Sequence, residues 1–270
     1  MISGSSYGPW HRHANHNSID AATGMRKGRV LRLLVCFFLA TALATAAAHE
    51  IIDLDKANEL VAAIDSAADG VRKASNQAAE GEMLFSLGAV LINATDLLNR
   101  DVAAHSGQLT LNGQILLKGL AQRNLGPQFD EGLNRYLLPR QQLQEALHLG
   151  PASFYAPRAR FALLKASFYE SFAFDPFKPL RADLSALQKE SSEAETLVGL
   201  LEDPDQREEA AFIHAIDLAR EVKLATTAGI PSAIEAKARA ALKTFAENYP
   251  DSMRAASATV ILQGLERTQR

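Results

Sequence analysis

Residues 57–71 read ANELVAAIDSAADGV, and their spacing decides the fold class. Ala57, Leu60, Val61, Ile64, Ala68 and Val71 fall at i, i+3, i+4, i+7, i+11 and i+14, one face of a 3.6-residue helix. The pattern recurs at Leu84, Leu87, Leu91, Ala94 and Leu98, and again at Phe161, Leu164, Phe168 and Phe172. After residue 48 no stretch alternates with a period of two on β-branched residues, so no strands are expected. Prolines 127, 139, 151, 157, 176, 179, 204, 231 and 250 fall at junctions between periodic stretches. Proline is tolerated in a helix's first turn and strongly disfavoured in its interior.

Several junctions carry capping chemistry. Asp203-Pro204-Asp205-Gln206 offers an acid at N-cap and proline at N1. Ser192-Glu193-Ala194-Glu195 and Ser232-Ala233-Ile234-Glu235 match the S-x-x-E capping box, in which side chains satisfy orphan N–H groups of the first turn. Helices are therefore predicted over 54–79, 82–103, 108–125, 128–137, 139–149, 157–173, 179–190, 193–202, 204–227, 232–248 and 252–268. The expected class is all-α. Short connections favour antiparallel hairpins, arranged as an α-solenoid or as a compact helical array.

The first 48 residues differ. Residues 1–24 are polar and aperiodic; Met25 is the expected start, with 1–24 an upstream extension. Arg26, Lys27, Arg29 and Arg32 precede an apolar run from Leu33 to Leu43, then Ala46-Ala47-Ala48. Positive region, short apolar core and small residues are the order of a secretory signal, with cleavage after Ala48. The alternative is an uncleaved membrane tether. The charge-free stretch from Leu33 to Ala48 is 16 residues, short of the roughly 20 a spanning helix needs. The expected compartment is the periplasm, with 49–270 as one all-helical domain and no transmembrane span after cleavage.

Removal of residues 1–48 takes the only cysteine, Cys36, and leaves 23 basic against 30 acidic side chains, a net of −7. That balance argues against nucleic acid, which needs a basic footprint. Loss of cysteine excludes thiol chemistry, cysteine-ligated clusters and attached haem from the mature protein. No cofactor is expected, and no catalytic residues are identified: His105, His148 and His214 show no ligand spacing, and no glycine-rich phosphate loop or nucleophile elbow occurs. His49 is the one candidate metal ligand. Cleavage would give it a free amine beside its imidazole, two nitrogen donors suited to copper.

Aromatic density is the most unusual local feature. Phe154, Tyr155, Phe161, Phe168, Tyr169, Phe172, Phe174 and Phe177 are interleaved with Arg158, Arg160 and Lys165. Phe161, Leu164, Phe168 and Phe172 form an inward stripe. Tyr155, Arg158, Tyr169, Phe174 and Phe177 lie off it and are the candidate partner-binding residues.

Near the C-terminus, Ala241, Phe245, Tyr249, Pro250 and Ser252 stand in the stretch 240–252, AALKTFAENYPDS. This resembles the A-x-x-x-F-x-x-x-Y-P-x-S turn of bacterial periplasmic tetratricopeptide proteins, a group that includes outer-membrane assembly lipoproteins and cell-division coordinators. The resemblance covers about 30 residues and implies a tetratricopeptide-like hairpin at about 204–268 and a protein-binding role. Leu84–Leu91, with Leu87-Gly88, loosely echoes a repeat's first helix, but no 34-residue period runs along the chain. The expected function is an exported, non-enzymatic interaction scaffold or accessory subunit, with another periplasmic or envelope protein as partner. The alternative is a metal- or small-ligand-binding helical bundle using His49.

Overall fold

A computed structural model describes residues 51–171, 183–227 and 233–267. Among them are nine helices: α1 Leu54–Lys73, α2 Gln77–Ala104, α3 Leu111–Ala121, α4 Gln141–Leu149, α5 Ala156–Ser171, α6 Leu184–Leu200, α7 Pro204–Thr227, α8 Ala233–Asn248 and α9 Met253–Arg267. The all-α class is as read from the periodicity.

Local chemistry explains most of the boundaries. Asp53 and Asn76 cap α1 and α2, each accepting a backbone N–H of the first turn. The expected single helix 54–79 thus stops at Lys73, because Asn76 nucleates a new one. Thr110 Oγ1 accepts from Gly113 N–H and so starts α3 later than the periodicity suggests. The same hydroxyl donates to Asp101 Oδ2 at 2.9 Å, and the Thr110 N–H reaches that oxygen at 2.8 Å. This holds the fully buried Asp101 carboxylate in place. Asn124, with φ 56°, takes the left-handed position that ends the helix.

Two readings are corrected. The expected helix 128–137 is an antiparallel hairpin, β1 Phe129–Asp130 paired with β2 Arg135–Tyr136. Asp130 Oδ1 accepts from Leu133 N–H, and Asn134 turns the chain with φ 52°. This local bond competes with helix where Asp and Asn cluster. The expected helices 179–190 and 193–202 are one helix over their described part. Its cap is Asp183, which accepts from Ala186 N–H at 2.7 Å. Ser192 is mid-helix, where its carbonyl accepts from Thr196 Oγ1.

Most helices pack on their sequence neighbours, but α3 packs mainly on α1 and α4 mainly on α2, and α7 is also touched by α5 and α9. Two large apolar clusters result. One joins α1, α2 and α3 through Ile64, Leu91, Leu98, Leu116 and Leu120. The other joins α5 to α9 through Phe161, Phe168, Leu197, Ile213, Leu242 and Phe245. A smaller cluster of Leu84, Ala146 and Tyr155 lies where α2 meets α4 and the start of α5. Among the described residues α2 is the one helix long and apolar enough to cross a membrane, and half of its most apolar window is buried within the fold.

Candidate functional site

A broad concavity runs along one face of α7, with α6 on one side and α8 on the other, and encloses about 790 Å³. Helical spacing builds it. Ala211, His214, Leu218 and Glu221 recur at three or four residues along α7 and form the floor. The adjacent face of α7 carries Ala210 and Ile213 into the core, so the same helix closes the core and opens the groove. The floor stays low because Ala211 is small, and Ala240 and Ala241 of α8 add little bulk above it.

The two walls differ chemically. Gln188, Ser191, Ser192 and Glu195 make the α6 wall polar. Ile234, Ala240, Ala241 and Phe245 give the α8 wall an apolar stripe, with Lys237, Thr244 and Asn248 beside it. Burial pushes the Glu221 carboxyl above its ordinary range, against the pull of a Gln188 hydrogen bond and the Lys237 ammonium.

His214 and Ser191 meet across the floor, with Nδ1 3.1 Å from Ser191 Oγ and 3.0 Å from the Ser191 carbonyl oxygen. Nδ1 donates to the Ser191 carbonyl when it carries the ring hydrogen and accepts from the Ser191 hydroxyl when Nε2 carries it, and in either tautomer the pair ties α6 to α7.

A second cleft, of about 690 Å³, lies between α5, α6 and the segment around β1 and β2. Two ion pairs, Arg140–Glu170 and Arg160–Glu193, line it; the latter is bidentate at 2.6 and 2.7 Å. Glu190 also lines it, and one of its oxygens is buried without a hydrogen bond. Burial pushes this carboxyl up to about 7, although Arg220 and Arg140 pull it down. Asp217, fully buried on α7, is pushed up to about 8, by burial first and then by Glu190; its bond to Arg220 at 2.8 Å opposes the shift.

The sequence-derived partner residues do not assemble as expected. Tyr155 is buried: its hydroxyl donates to the Ala146 carbonyl at 3.1 Å and its ring stacks on Phe85 at 5.3 Å. It sits just ahead of the α5 stripe, where the turn before the helix directs it inward. Tyr169 is half-buried, donating to Glu209 at 2.9 Å, and burial with that carboxylate pushes its hydroxyl up to about 12. Arg158 is exposed, with its guanidinium 5.4 Å from the Phe85 ring centre. Phe174, Phe177 and His49 lie outside the described residues. Among the described residues no three His, Cys, Asp or Glu side chains converge as a metal site.

The C-terminal motif is built as its residues suggest. Phe245 is buried, its ring 5.5 Å from Phe212 and 5.1 Å from Tyr249. Helix α8 ends at Asn248. Ser252 Oγ accepts from Arg254 N–H at 3.1 Å and donates to Glu208 at 2.6 Å, which caps α9 and ties it to α7. Ala241, Phe245 and Tyr249 also line the groove, a role the sequence pattern did not disclose. Comparison with protein families, with curated proteins and with solved structures found no match to this chain.

Proposed function

We propose that this chain is an exported, non-enzymatic interaction scaffold that seats a segment of another envelope protein in the α6–α7–α8 groove. The observation that carries this reading is the groove itself: a long concavity floored by α7 and walled by α6 and α8. The tetratricopeptide-like residues Ala241, Phe245, Tyr249, Pro250 and Ser252 lie in its α8 wall and in the turn that follows, and they support a protein-binding role. Export rests on the layout of residues 25–48.

A photo-crosslinking amino acid at Thr244, on the groove rim, tests the reading in the producing cell. It should give one discrete adduct, and Ala240→Trp, which fills the groove, should abolish it. The same label at the exposed Glu82 of α2 should give none. Equal adducts from both positions, or an adduct indifferent to Ala240→Trp, would sink the proposal. N-terminal sequencing of the exported protein should begin at His49; an intact Arg26–Ala48 segment would instead mean a tether.

A further inference from the structure

We infer that the groove takes a basic amphipathic helix of about three turns, lying between α6 and α8, with its apolar face on α8 and a cation opposite Glu195. This rests on the groove reading above and names the chemistry of its occupant.

The first argument concerns the backbone. All three sides of the groove are helices, whose N–H and C=O groups are already paired within themselves. No sheet edge borders it. An extended segment would bury main-chain groups with only scattered side chains to meet them, and each one left unpaired opposes binding. Ser191, one of those side chains, is already engaged with His214. A helix brings its own backbone bonds and needs only side-chain contact, as in other helix-in-groove recognition.

The second argument is the difference between walls. An occupant touching Ile234, Ala241 and Phe245 on one side and Gln188, Ser192 and Glu195 on the other must itself be two-faced. Length agrees: Gln188 to Val198 on α6 spans about 15 Å at 1.5 Å per residue, which is about three helical turns.

The third argument is charge. Glu221 and Lys237 answer each other at one end of the groove. Glu195, exposed on the α6 wall, has no ion-pair partner among the described residues. Set against Glu221 and Lys237, which are of opposite sign, it leaves the lining with a net negative formal charge, in a chain whose net charge is −3. An occupant with Lys or Arg at that position gains a pair; one with Asp or Glu meets repulsion.

Fluorescence anisotropy with the purified exported protein and three synthetic twelve-residue probes tests this. One is a leucine–lysine amphipathic helix. The second has its lysines replaced by glutamates. The third keeps the lysines but carries two prolines that prevent helix formation. The basic helix should bind at least tenfold more tightly than either other probe. Glu195→Lys should weaken it at least tenfold and improve the acidic probe, and Ala240→Trp should abolish binding. Both positions are exposed, and circular dichroism should show both variants folded. Preference for the acidic or the proline probe would overturn the inference and leave a groove with a different occupant. Binding of the basic helix that survives Ala240→Trp would overturn it as adventitious charge attraction. Failure of all three probes, with the Thr244 crosslink still abolished by Ala240→Trp, would overturn the inference alone; loss of that crosslink result as well would remove the groove reading beneath it.

Discussion

Tyr155 shows what one buried hydroxyl demands of its neighbours. A Cβ added at Gly81, or one added at Gly150, would meet Tyr155 Oη; from Gly81 the next ring atom is 3.4 Å away. These glycines therefore make room for the phenol that donates to Ala146. Tyr155→Phe should cost about 1 kcal/mol, the usual net value of such a bond. Gly81→Ala should cost about 1–3 kcal/mol through overpacking. In the Tyr155→Phe background the clash is gone, so the second change should cost less than it does alone. A urea double-mutant cycle measures this, and strict additivity would refute it. Glu190 and Asp217 supply a pH test. Unfolded, they titrate near their ordinary 4.5 and 3.8; folded, they keep protons to about 7 and about 8. The folded state thus holds protons that the unfolded chain has released. Their contribution is fully present below about pH 4, declines as pH rises through the folded values, and is flat above about 8. Glu190→Gln removes one such proton and relieves Asp217, so the urea midpoint of the variant should fall less between pH 5 and pH 8 than that of the parent. An equal or steeper fall would contradict the coupling.

At the scale of elements, the caps at Asp203 and Ser252 were legible in sequence, and those at Asp53, Asn76, Thr110 and Asp183 were not. Pro204 was read as the start of α7 and is; Asp203 caps it by accepting from Asp205 N–H at 2.9 Å. The S-x-x-E motif at Ser192 failed, because capping chemistry acts only where the chain has left helical geometry. Here Leu187, Ser191, Ala194 and Leu197 keep one face buried against α7 straight through the motif. The hairpin at β1 and β2 failed in the opposite sense: an apolar-looking run was short enough for Asp130 and Asn134 to override it. Ser252 is the cap with the widest consequence, since its hydroxyl serves both α9 and Glu208 of α7. Nearby, Glu209 accepts from Tyr169 and pairs with Lys165 at 3.1 Å and Arg254 at 3.3 Å, so three helices converge on adjacent acids. Ser252→Ala should cost about 1–2 kcal/mol, the usual range for a lost cap. The loss should appear first as faster amide exchange at the start of α9. Unchanged protection there would show that Tyr249-Pro250 alone sets the turn.

At the scale of the molecule, the two large apolar clusters share no residue; Leu84, Ala146 and Tyr155 lie near their junction, and Arg135 and Arg140 bridge to α5 through the Tyr169 carbonyl and Glu170. Ile213 is fully buried in the α5–α9 cluster. Ile213→Ala should cost about 2–5 kcal/mol. Because stability follows contiguous packed units, amide protection should fall across α5–α9 and change little in α1–α3. Uniform loss in both halves would mean that they unfold as one. The sequence by itself determined the helical class, most helix starts, and the Ala241–Ser252 turn. These depend on spacing, proline and capping within a few residues of one another, which any short window of sequence records. Tertiary structure alone decided that Tyr155 turns inward, that Ser191 meets His214, and that α6 and α8 stand apart over α7. Those facts depend on residues far apart in sequence arriving side by side, 23 positions for Ser191 and His214 and 70 for Phe85 and Tyr155. The small side chains that leave the groove open read, in sequence, like any other tightly packed helix face.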